Sequence, residues 1–78
     1  MKLTFFGRLR DVVGAGELDC SVPANIVDSE SLRVWVASDY PALVDATVRI
    51  ALDDVLTTRP TPIAGVSEVA FLPPVSGG

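Results

Sequence analysis

Residues 2–22, KLTFFGRLRDVVGAGELDCSV, decide the fold. Lys2 to Gly7 reads as a strand, with Leu3 and Phe5 on one face and Thr4 and Phe6 on the other. Leu9, Val12 and Val13 are spaced for one helical turn, which Gly14 and Gly16 end. Glu17 to Val22 alternates again: Leu18, Cys20 and Val22 point one way, Glu17, Asp19 and Ser21 the other. Two strands so close together predict a hairpin across an irregular connection.

Downstream, Pro23 closes the second strand. Asp28 fits a helix N-cap, and Glu30 lies in the first turn, where the helix dipole favours an anion. Val27 and Leu32 have the spacing of a hydrophobic staple. The helix runs to about Ser38, with Leu32, Trp35 and Val36 on its apolar face and Arg33 opposite. Tyr40-Pro41 breaks it, and Pro41 to Val44 makes one further short turn. Thr47 to Leu52 alternates Val48, Ile50 and Leu52 against Thr47, Arg49 and Ala51. Asp53-Asp54 is the turn before Val55 to Thr58, although it lacks the Gly a tight hairpin prefers. Arg59 to Pro62 is a polar connection, and Gly65 precedes a last strand, Glu68 to Leu72.

A single helix covers only one face of a sheet. The order strand, strand, helix, strand, short strand, strand therefore predicts an α+β fold. It is a β-grasp, or ubiquitin-like, arrangement: a mixed sheet of about five strands under one main helix.

The chain has 78 residues, room for one domain with a small core. Half its residues are hydrophobic and 21% are charged, the balance of a globular chain. Net charge is −4, and only one basic residue, Lys2, is a lysine. Without a basic stripe a nucleic-acid role is not expected. The lone cysteine allows no internal disulfide, which suits a reducing, cytoplasmic setting. No apolar run reaches the ~20 residues of a membrane span, so no membrane partner is expected. Histidine is absent, which removes the common triads and His-based metal sites from this chain. Any chemistry must use an unusual group or a partner's side chains.

The last nine residues, AFLPPVSGG, supply such a group. Pro73 and Pro74 donate no backbone hydrogen bond, so strand pairing ends there, and they keep the backbone extended. Gly77 and Gly78 are narrow enough to enter a channel. The division expected is a body over residues 1–72 and a tail over 73–78. The tail carries the Gly78 α-carboxylate as its reactive tip, and Pro73, Pro74, Val75, Ser76 and Gly77 are expected to lie in a partner's channel. Phe71 and Leu72 point to opposite faces. One belongs to the core, and the other joins Phe6 in an apolar patch for a partner.

"KLTFFGRLRDVVG" and "EVAFLPPVSGG" on such a body resemble the small, sulfur-carrying subunit of molybdopterin synthase, across essentially the whole chain. Asp53-Asp54 stands where that family often has an Asn-containing turn. The resemblance implies that a ubiquitin-activating-like enzyme, using ATP and Mg, adenylates the Gly78 carboxylate. A persulfide donor then displaces AMP and leaves a thiocarboxylate, a 1-thioglycine. This sulfur attacks a cyclic pyranopterin monophosphate in the large subunit, building the dithiolene. The large subunit would supply the active-site side chains, and this chain would bind no cofactor. The implied assembly is a heterotetramer, a dimer of large subunits with a carrier at each end. A carrier for thiamine thiazole synthesis, a ubiquitin-like protein modifier and an unreactive interaction module are the rival readings.

Other candidates have plainer roles beside them. Cys20 is a persulfide site or, between Leu18 and Val22, a core residue. Trp35 is a partner anchor or a core residue beside Leu32. Asp53 and Asp54 bind a cation or are solvated. Arg8 and Arg10 flank the tail and meet acidic partners, or serve solubility.

Overall fold

The computed structural model describes residues 1–74. Five strands and two α-helices follow the expected order: β1 (Lys2–Phe5), α1 (Leu9–Val13), β2 (Glu17–Asp19), α2 (Ser29–Ala37), a 3₁₀ turn (Pro41–Val44), β3 (Arg49–Leu52), β4 (Val55–Leu56) and β5 (Glu68–Leu72). The sheet order is β2-β1-β5-β3-β4. β1 and β5 run parallel at its centre, and every other pair is antiparallel. This is the β-grasp.

One face of the sheet buries Leu3, Phe5, Ile50, Val69 and Phe71 against Leu32 and Val36 of α2. Phe5 and Phe71 are cross-strand partners, their rings stacked at 5.3 Å between centroids. Leu9 of α1 and Leu43 of the 3₁₀ turn close the ends of this core. α1 stops at Gly14, whose φ of 84° is left-handed. Of its apolar residues Leu9 turns inward, while Val12 is exposed.

α2 begins as its capping residue dictates, with the Asp28 carboxylate accepting from the Ser31 N–H at 2.8 Å. The staple does not form as expected: Val27 is 61% exposed, and Ile26 packs against the core instead. Val27 is held through its backbone, its carbonyl accepting from the Ile63 N–H at 3.1 Å. Arg33 corrects the expectation of a solvated position. It is 8% exposed, and its Nη1 donates to the carbonyls of Leu43 and Asp45 at 3.2 and 3.0 Å. The 3₁₀ turn packs against α2, and its carbonyls need a donor there.

The strands are shorter than alternation suggests. β2 ends at Asp19, although Cys20 still exchanges two 2.9 Å hydrogen bonds with Met1. Thr47 lies before β3, because the Asp45 carboxylate accepts from its N–H and its hydroxyl at 2.9 and 2.8 Å. Asp53 and Asp54 form the β3–β4 turn with φ of 46° and 69°, both left-handed without glycine. Aspartate tolerates that region better than most residues. The Asp53 carboxylate also accepts from the N–H groups of Ser67 and Glu68, at 3.1 and 2.9 Å. Ala51, expected to face out, lies on the face away from α2 yet is buried; register sets it between Ala70 and Leu56.

Candidate functional site

The site begins where the sheet ends. β5 is paired on both sides as far as Phe71, which pairs with Phe5 and Ile50, and its last residue, Leu72, pairs with Arg49 on the β3 side. The Phe6 N–H donates to the Phe71 carbonyl at 3.1 Å, and beyond Leu72 the two prolines have no N–H to continue the ladder. The central strand, its register locked by the stacked Phe5 and Phe71, thus delivers the chain to Pro73 at a fixed place.

Pro73 does not leave the body bare. Gly7 follows Phe6 with a left-handed φ of 55°, and a Cβ placed on it would lie 2.9 Å from Pro73 Cγ. The absent side chain is what lets Pro73 sit over the end of β1. No sequence signal singled out Gly7, because the close approach joins residues 66 apart in the chain.

The Phe71 and Leu72 alternative resolves by face. Phe71 is fully buried, so it leaves the set of partner-contacting candidates; its ring belongs to the core because β5 presents it to α2. Leu72 is half-buried on the opposite face. Phe6 is 45% exposed. Leu56, exposed beside the buried Ala51, lies on that same face away from α2. Val75, Ser76, Gly77 and Gly78 lie outside the described residues.

At the tail root the strand partner of Leu72 is Arg49. Arg10 folds back over Gly16: a Cβ there would meet its Nε at 3.3 Å. Arg8 lines a groove with Val12, Val44 and Asp45. Lys2 sits at the far end of β1, with Nζ 3.2 Å from Glu17 and 3.9 Å from Glu68, and its pKa is raised by the hydrogen bond and charge of Glu17, then by Glu68.

Cys20 and Trp35 are half-buried and pack against the core, facing a small cavity of ≈90 Å³ with Leu18 and Tyr40. Asp53 acts as a backbone acceptor at its turn. Among the described residues no three Cys, Asp or Glu side chains gather as a metal site would require. No described helix is long and apolar enough to cross a membrane.

Comparison with known proteins adds the whole-chain likeness. A model described as the ThiS family matches residues 3–78. The chain is 33% identical over 82 residues to the molybdopterin synthase sulfur carrier subunit of Escherichia coli (strain K12), covering all of this chain and 99% of that protein. It is 30% identical over 80 residues to the protein of the same name from Arabidopsis thaliana, covering all of this chain and 82% of the other. The crystal structure of SAMP1 from Haloferax volcanii superposes with a TM-score of 0.77 at 20% identity, over the full chain and 98% of that structure. At that identity the likeness is one of fold.

Proposed function

The chain belongs to the ThiS family, and from that premise we propose that it is the sulfur-carrying subunit of a molybdopterin synthase. The carrier role follows from the family and from relatives that match the whole of this chain. The finer reading assigns residues 1–72 to a rigid body and 73–78 to an arm that places the Gly78 carboxylate inside partner proteins.

A carboxylate is a poor electrophile. In this reading an activating enzyme with ATP and Mg makes the Gly78 acyl adenylate, a good one. The outer sulfur of a persulfide donor displaces AMP to give an acyl disulfide. A thiol then attacks the donor's sulfur, leaving the donor as a disulfide and releasing the Gly78 thiocarboxylate. Its sulfur then attacks the pterin precursor in the large subunit, whose side chains supply proton transfer and phosphate binding. The body's task is geometric. Phe6 and Leu72 supply an apolar contact at the arm's root, and Pro73 over Gly7 sets its exit.

The observation that carries the reading is the abrupt change at Leu72: a strand paired on both sides passes directly into two prolines and, in the sequence, a diglycine. Intact-mass measurement after incubation with the activating enzyme, ATP and a sulfur source tests it. The expected result is oxygen-to-sulfur exchange on the C-terminal peptide. A variant with one alanine added after Gly78 should stay folded and lose pterin sulfuration. Retained sulfuration in that variant, or higher-mass protein conjugates in place of the exchange, would overturn the proposal.

A further inference from the structure

Five of the chain's six basic side chains are arginines, in a molecule of net charge −4. Three of the five, Arg33, Arg49 and Arg59, line one pocket of ≈370 Å³ with Glu30, Thr57 and Thr58. Arg33 is its buried floor. Its Nε donates to Glu30 at 3.3 Å, and its Nη1 is taken by the Leu43 and Asp45 carbonyls. A guanidinium carries five N–H donors in a rigid fork. The described residues give Nη2 no hydrogen-bond partner. Yet no fully buried side-chain nitrogen among them lacks one. Nη2 therefore keeps some accessible surface, and the pocket is what Arg33 borders.

The two rim arginines are also available. Arg49 reaches only the Thr57 carbonyl, at 3.5 Å, and among the described residues neither Arg49 nor Arg59 forms an ion pair. The nearby Asp45 carboxylate is turned to Thr47. Glu30, paired with Arg33, is the one carboxylate of the lining, and Asp45 also feels the Arg33 charge, so the unpaired positive charge of the pocket is that of Arg49 and Arg59. Strand register places Arg49, one residue of the lining, opposite Leu72 at the root of the tail.

We propose that this pocket docks carboxylates of an acidic segment on the protein that grips the tail. The occupant follows from charge and place. A net-acidic carrier repels an acidic segment over most of its surface and attracts it where arginines gather, as three do here. Planar carboxylates match the guanidinium fork, and Arg49, paired with Leu72, sets one guanidinium beside the contact proposed for the tail root. The inference rests on the carrier reading for the identity of the partner but not for the existence of the pocket.

The test is an NMR titration with a hexaglutamate peptide, and separately with inorganic phosphate. It is followed by binding of the large subunit to wild type and to the Arg49→Gln/Arg59→Gln double variant. Both substitutions are on exposed side chains, and the backbone spectrum reports whether the fold is kept. Arg33 is left intact because its carbonyl contacts are structural. Hexaglutamate should shift the Nε–Hε signals of Arg33, Arg49 and Arg59. The double variant should bind the large subunit about 10-fold more weakly at low salt, the deficit shrinking as salt is added. Three results would overturn the proposal: no hexaglutamate shift at these arginines, phosphate shifting them where hexaglutamate does not, or unchanged affinity in the double variant. Intact mass of the wild type in the sulfur-loading reaction separates the two readings. Sulfur loading without peptide binding sinks the pocket alone, and peptide binding without sulfur loading sinks the carrier reading alone.

Discussion

Gly7 shows how one missing side chain directs the tail. Its backbone is left-handed, and Pro73 occupies the space a Cβ would need. Gly7→Ala combines both penalties, and urea unfolding should show a loss of about 1–3 kcal/mol. Because the clash is with the tail root itself, the variant should also load sulfur more slowly under conditions where it remains folded. Full loading at wild-type rate would separate the tail's exit from the Gly7–Pro73 contact. Arg33 teaches the complementary lesson. Helical periodicity put it opposite the apolar stripe, but burial at that position depends on what else covers the helix. Here the 3₁₀ turn does, and its carbonyls turn a charged residue into an internal donor.

At the scale of the element, α2 was legible because its start is written in local chemistry. Asp28 caps it as expected, and the backbone N–H of Ser31, then its side chain, holds the Asp28 pKa below its ordinary 3.8. A depressed folded-state pKa contributes stability that is complete above the unfolded value and is lost as pH falls through the folded one. The melting temperature of the wild type should therefore drop as pH falls below the ordinary aspartate value of about 4. Asp28→Asn, a neutral capping residue, should flatten part of that acid limb; Asp45, lowered by its bonds to Thr47, supplies a remaining part. An unchanged acid limb in Asp28→Asn would show that the cap carries no linkage. The strands were legible in face but not in length. Alternation states which side chains share a side, whereas Thr47 and Cys20 to Val22 needed the partner strand, or its absence, to decide whether pairing continues.

At the scale of the molecule, the two faces of the sheet divide labour. One is filled by α2, and the other presents Leu72 at the tail root and Leu56 on the edge strand, with Phe6 exposed just past the end of β1. Phe71→Ala should cost about 3–5 kcal/mol, a large share of what a domain this small has available. Phe6→Glu should change stability by no more than about 0.5 kcal/mol while weakening capture of the large subunit in a pull-down. Equal losses of stability in the two variants would mean that Phe6 is a core residue and the outer face is not a contact surface.

Short-range chemistry was sufficient to determine the order of elements, the α+β class, the cap of α2, the stop at Pro73 and the absence of histidine chemistry, since each depends on neighbours within a few residues. Tertiary structure alone decided that Phe71 is core and Leu72 is not, that Gly7 makes room for Pro73, and that arginines from α2, β3 and the segment after β4 share one pocket. Those outcomes join residues far apart in the chain. They exist only once β5 has slotted between β1 and β3 and fixed which surfaces meet.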